Sequence, residues 1–263
     1  MFAKSLREYR RALIWWTIGL SAFVAMYVGI YGNFKQDAAS MEALVSAKYP
    51  GLLRDAMGGF QDLASGAGFL QSVVYQLFVP LLFVVLATVL ANRALVLPEE
   101  SGTLELVITL PIERKRLVLD RFAGLLVSLL VVAVVTLAVL WAVGEAVELG
   151  VPFGNVVAAH LGVYLLALFF GTVALAVGAA TGRRLYATTA VGVWVVIGYM
   201  VVTIGKDVAA VSWLKWVSPF HYYAEGRPVY EGLPVGDYLV LAGATAVLAL
   251  TAVLAFDRRD VGV

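Results

Sequence analysis

The chain has 263 residues, 62% hydrophobic and 14% charged, with a mean hydropathy of +0.90. A soluble domain carries roughly 25% charged residues, so this apolar surplus calls for lipid as the surrounding medium, and a net charge of +1 provides no bulk positive field for nucleic acid. The absence of cysteine excludes disulfides, thiolate metal sites and thiol nucleophiles.

In chain order, residues 1–11 place Phe2, Leu6 and Tyr9, with Leu13 just beyond, at helical spacing. Lys4, Arg7, Arg10 and Arg11 fall between them, the pattern of a helix lying in the headgroup plane; a disordered basic leader is the alternative. The apolar run 12–31 follows. It exceeds the core of a signal peptide and lacks an A-x-A-like exit, so it is read as a retained anchor. The outer loop 32–68 carries Met41, Leu44, Val45, Tyr49, Leu52, Leu53 and Met57 among polar residues, which predicts a short helix pair broken at Pro50-Gly51. It is read as a packed cap over the bundle, with an outer lid as the alternative.

The second run, 69–91, is followed by the polar segment 97–114. There Pro98 suits the first turn of a helix, Glu99 and Glu100 suit the positive end of its dipole, and Pro111 stops it. A short bounded helix with an acidic front and Leu104, Leu106, Val107, Ile108 and Leu110 behind it suits a partner's groove. A helix lying on the membrane is the alternative, against which the acids count, because an anionic leaflet repels them.

Runs 122–143, 156–180, 185–203 and 238–256 complete six stretches that approach or exceed the roughly 20 residues a bilayer core requires. None of the six contains Asp, Glu, Lys or Arg. In such an interior the backbone amides must be satisfied within helices, and the run lengths exclude a β-barrel. The expected fold is an all-α polytopic membrane protein, one transmembrane domain over residues 1–263. Small residues permit close helix approach in lipid; Gly171, Ala174, Gly178 and Gly182 mark such a face on the fourth run, and Gly124 with Ser128 a similar pair on the third. Before the sixth run, residues 204–237 are dense in aromatics: Trp213, Trp216, Phe220, Tyr222, Tyr223 and Tyr230. A shallow or re-entrant element interrupted at Ser218-Pro219 and tucked against the outer leaflet is expected, and a substrate-binding aromatic cluster is the alternative.

Orientation follows from the basic residues, which concentrate in short cytoplasmic segments. Only Lys35, Lys48, Arg54, Lys206, Lys215 and Arg227 fall on one side of the six runs, whereas the remaining thirteen of nineteen fall on the other. The majority side holds both termini, so both are expected in the cytoplasm.

With this topology, the stretch formed by Glu99, Glu100, Gly102, Thr103, Leu104, Glu105, Leu110, Pro111 and Arg114 resembles the "E-E-x-G-T-L-E-x-L-x-x-L-P-x-x-R" segment of ATP-binding-cassette (ABC) exporter permeases of the type-two branch. Ser101 stands where many members carry a charge, and the Ser218-Pro219-Phe220 and Tyr222-Tyr223 region adds to the likeness. The resemblance implies an interfacial N-terminal helix, a cytoplasmic coupling helix between helices 2 and 3, and a membrane-dipping outer element before helix 6. It further implies that Glu99, Glu100, Ser101, Gly102, Thr103, Leu104 and Glu105 meet a separate ATPase subunit that holds ATP and Mg. The same resemblance implies that a second permease, identical or related, completes the transporter in the cytoplasmic (inner) membrane.

The residues agree on the energy source. Ion-coupled transporters place acids within the membrane, and these runs have none; no G-x-x-x-x-G-K-[ST] phosphate loop occurs either. Uphill transport therefore needs ATP chemistry on another chain. An intramembrane enzyme is a competing class, but H-E-x-x-H and G-x-S-x-G are absent. His160 is read as a packed, satisfied polar group, and His221 with Glu225 as a hydrogen bond rather than part of a zinc site. A non-transporting scaffold or sensor fits the same topology. Uncharged aliphatic and aromatic walls suit a hydrophobic, amphipathic or lipid-like solute.

Overall fold

The computed structural model describes residues 2–33, 35, 62, 65–103, 113–203, 205, 208 and 212–259, with side chains from residue 10 onward. The expected helix pair within residues 32–68, and Leu104 to Leu110 with Glu105, lie outside the described residues. Among the described residues, six helical stretches are long and apolar enough to cross a membrane: Arg10–Asn33, Gly66–Glu100, Arg114–Ala146, Phe153–Thr181, Arg184–Thr203 and Val235–Arg258. No strand occurs among the described residues. Each stretch contains one of the six apolar runs, so the all-α polytopic expectation holds.

We label the long helices α1 (Phe2–Gly29), α2 (Phe78–Ala91), α3 (Arg114–Ala146), α4 (Phe153–Thr181), α5 (Arg184–Thr203) and α6 (Val235–Arg258). The expected leader helix is not a separate element: residues 2–11 run into the first span without a break.

The second span departs furthest from a simple helix, and its prolines explain why. Pro80 cannot donate to the Gln76 carbonyl. The chain enters through the α-helical turn Gly66–Phe69, continues as a π-helix, Leu70–Tyr75, resets at Leu77 (φ −135°, ψ −57°), and restarts as α2 with Pro80 in its first turn. Pro98 was expected to open a new helix. Instead a second π-turn, Asn92–Val96, precedes it, and the helix continues through Leu97–Glu100. The π-turn shifts the bonding frame, so that the Leu97 N–H reaches Asn92 O, and the donor that Pro98 lacks does not break the helix. Gly102 ends it in the left-handed region at φ +70°, where glycine carries no side-chain penalty.

Helix α4 is the hub. It packs against α2, α3, α5 and α6, while α1 lies along α3. Outward faces carry Val131 and Val134 on α3, Val193, Val196 and Ile197 on α5, and Val247 and Leu250 on α6, as lipid contact requires.

The centre of the bundle is pinned by polar bonds. His160 is 2% exposed and lies between the Tyr75 hydroxyl at Nδ1 (3.1 Å) and Thr136 Oγ1 at Nε2 (2.9 Å). Thr136 donates to the Val132 carbonyl (2.8 Å), so its oxygen accepts from His160 Nε2–H, and Tyr75 donates to Nδ1. Both ring nitrogens are partnered, which makes His160 the packed polar group expected from the sequence.

Candidate functional site

The segment singled out in the sequence begins where the second span ends, and the structure divides its residues into two groups. Ser101 and Gly102 form a turn with Thr103 directly after it, and all three are exposed. Thr103 Oγ1 donates to the Pro98 carbonyl (3.1 Å) and lies 2.9 Å from Ser101 Oγ, which fixes the turn onto the helix end. Glu99 and Glu100 point back to the bundle. Glu100 Oε1 accepts the Arg184 N–H at 2.8 Å, a carboxylate at the positive end of α5.

The Glu99 carboxylate pairs with Arg259, just beyond α6; the two side chains are 20% and 19% exposed. Arg259 Nη1 also donates to two carbonyls in the last turn of α4: Ala179 O (2.9 Å), near the helix end where carbonyls run out of helical donors, and Gly178 O (3.3 Å), which the Gly182 N–H also reaches. The Arg259 carbonyl in turn accepts from Arg114 Nη1 (2.9 Å) at the start of α3. Lys115 Nζ lies 3.4 Å from Asp257 Oδ2 nearby. One guanidinium therefore ties together the ends of the second, fourth and sixth spans, with the third joined through its backbone. Burial pushes the Arg259 pKa below its ordinary value, yet arginine remains a cation.

Sequence reasoning missed Arg259. It counted only towards orientation, and 160 positions separate it from Glu99.

The small-residue face of α4 packs within this chain, along the second span. A Cβ on Gly171 would stand 3.0 Å from the Ala87 Cβ, one on Gly178 would overlap Val96 Cγ2, and Ala174 is wholly buried. Gly182 leaves α4 at φ +65°, and the Glu99 carboxylate occupies the space of its missing side chain.

At the opposite end, Trp213 and Trp216 of the 3₁₀ helix Ser212–Val217 are exposed, whereas Phe220 and Tyr223 of the helix Pro219–Ala224 are buried, with Tyr222 between. Ser218 separates the two, accepting from the Phe220 N–H and donating to Gly198 O on α5 (2.8 Å). Tyr223 donates to Tyr75 O at 2.6 Å, and its burial, with Tyr238, Tyr75 and Tyr199 nearby, pushes the phenol well above its ordinary pKa, so it stays a donor. The aromatics thus form an outward tryptophan pair and an inward packed set, not one cluster. His221 Nδ1 lies 3.3 Å from Glu225 Oε2 without hydrogen-bond alignment, and no group of three or more possible metal ligands occurs among the described residues.

The described helices thus form a six-helix bundle with α4 at its hub and an exposed turn at the end of the second stretch. A model for "ABC-2 family transporter protein" covers residues 1–261. The chain belongs to the ABC-2 transporter family. It is accordingly an ABC permease, a multi-pass membrane component of transport, and membership implies an ATPase partner subunit. No curated protein matches the chain.

Proposed function

We propose that this ABC-2 permease is half of the membrane part of an exporter. It moves a hydrophobic, amphipathic or lipid-like molecule across the cytoplasmic membrane, with both termini inside and ATP and Mg held by the ATPase. Two permease chains face each other and two ATPase subunits sit beneath them. The exposed Ser101–Thr103 turn carries this reading: it projects from a span end braced by Glu99 and Glu100, so a push on the turn is delivered to several spans at once. The uncharged interiors of the spans support an apolar cargo.

Orientation has a direct test, because the chain has no native cysteine. A Ser101→Cys variant should react with an impermeant maleimide only after the membrane is opened; labelling from outside intact cells would reverse the topology.

Coupling has another. Glu100→Lys combined with Glu105→Lys should lower recovery of the ATPase with the permease and abolish export, while the chain still inserts. Breaking a buried interfacial charge pair costs roughly 2–5 kcal/mol. Since Glu100 also caps α5, Glu100→Gln, which keeps an acceptor there, separates loss of the cap from reversal of charge. The mass of the solubilised complex gives the subunit ratio in the same preparation. Undiminished export by the double variant defeats the assignment of these acids to the ATPase interface.

A further inference from the structure

Between the second span and α5 lies a cavity of about 450 Å³, within the roughly 300–1,000 Å³ range of small-molecule sites. Most of its wall is aliphatic, including Val84, Val85, Val191 and Val195. One end is different. Arg93, Arg184, Asn92 and Thr188 line it there, where the second span leaves its apolar run and α5 begins.

Three observations point to a ligand. Neither guanidinium pairs with a carboxylate among the described residues; Glu100 binds the backbone N–H of Arg184, so this end holds two cations and one acid. Asn92 is 5% exposed and donates through Nδ2 to Thr188 Oγ1 (3.1 Å), yet its buried Oδ1 has no partner. A buried unpaired acceptor costs about 1–3 kcal/mol, so a donor arriving there gains a bond. Finally, the charge stands at the end of an apolar groove, and basic pockets between helices at the membrane surface select anionic lipid headgroups.

We propose that this groove binds an anionic phospholipid. Its phosphate sits between Arg93 and Arg184, an acyl chain lies along the valine wall, and a headgroup hydroxyl donates to Asn92 Oδ1. The leaflet follows from the orientation proposed above; the binding does not depend on it.

The test is native mass spectrometry of the solubilised complex after exposure to phosphatidylglycerol or phosphatidylcholine with the same acyl chains. The wild type should retain phosphatidylglycerol over phosphatidylcholine. Arg93→Gln with Arg184→Gln should weaken phosphatidylglycerol binding by about thirtyfold, the factor for two cations near an anionic lipid. Arg11→Gln with Arg116→Gln, exposed cations outside the cavity, should leave it unchanged. A Gly192→Phe variant, placed where an added Cβ meets nothing within 4 Å, should fill the groove and remove both lipids. Soluble glycerol phosphate at equal concentration should not compete; displacement by it would mean that headgroup alone binds and would overturn the chain-bearing site. Equal retention of the two lipids, or a preference that survives loss of both arginines, would also overturn it. So would a wild-type complex without lipid, the result expected if a second copy of the chain closes the groove.

Discussion

Arg259→Ala should lower both the thermal stability of the permease and the amount of ATPase recovered with it, and adding Glu99→Gln should restore part of the loss. The side chains of the pair are 19% and 20% exposed, which places it between a surface ion pair, worth ~0–1 kcal/mol, and a buried one, whose rupture costs ~3–5 kcal/mol. The single variant strands the Glu99 charge and removes the donor to Gly178 O and Ala179 O, so a loss of about 1–3 kcal/mol is expected. Removing the charge at Glu99 as well abolishes the stranded anion but does not restore the bonds to the α4 carbonyls, so recovery should be partial. Unfolding midpoints in one detergent and the yield of associated ATPase give the two readouts. If the single variant matches the wild type in both, or if Glu99→Gln gives no relief, the brace has no energetic weight.

The sequence reading located what is written in consecutive residues. Each apolar run became a span because lipid imposes a length that hydropathy records directly. The helical stretch that holds run 69–91 extends over Gly66–Glu100, because a helix does not end where its side chains turn polar. His160 was legible as a satisfied group, since an isolated polar ring between apolar neighbours must find partners within reach; that these are Tyr75 and Thr136 was not. The π-turns escaped notice because they answer to hydrogen-bond frame rather than composition: Pro98 reads equally well as a start, and only the Leu97 to Asn92 bond makes it a continuation. Arg259 and the cavity between the second and fifth spans escaped for a different reason. Both arise where distant segments meet, and no periodicity records which end of one span lies beside another.

Gly178→Ala should destabilise the folded chain, and Val96→Ala should rescue it, although each removes or adds only methyl-sized groups. The added Cβ would overlap Val96 Cγ2, which is fully buried and belongs to the π-turn Asn92–Val96, so neither the backbone nor the side chain can move freely away. Overpacking of this kind costs roughly 1–3 kcal/mol. Val96→Ala alone should also be harmful, through the cavity it leaves. In combination, the new methyl group occupies part of the space vacated by the valine, so the double variant should be more stable than the sum of the singles predicts, by a coupling of about 0.5–3 kcal/mol. Gly124→Ala provides the comparison: it too is a helical glycine, but no atom lies within 4 Å of its added Cβ, and it should be neutral or slightly stabilising through helix propensity. Unfolding midpoints across the four-member cycle decide the matter, and additivity within error would show that α4 does not meet the second span here. The same contact reaches the braced turn, because Gly178 O accepts from Arg259. Gly178→Ala should therefore also reduce ATPase recovery, and Val96→Ala should return it together with stability.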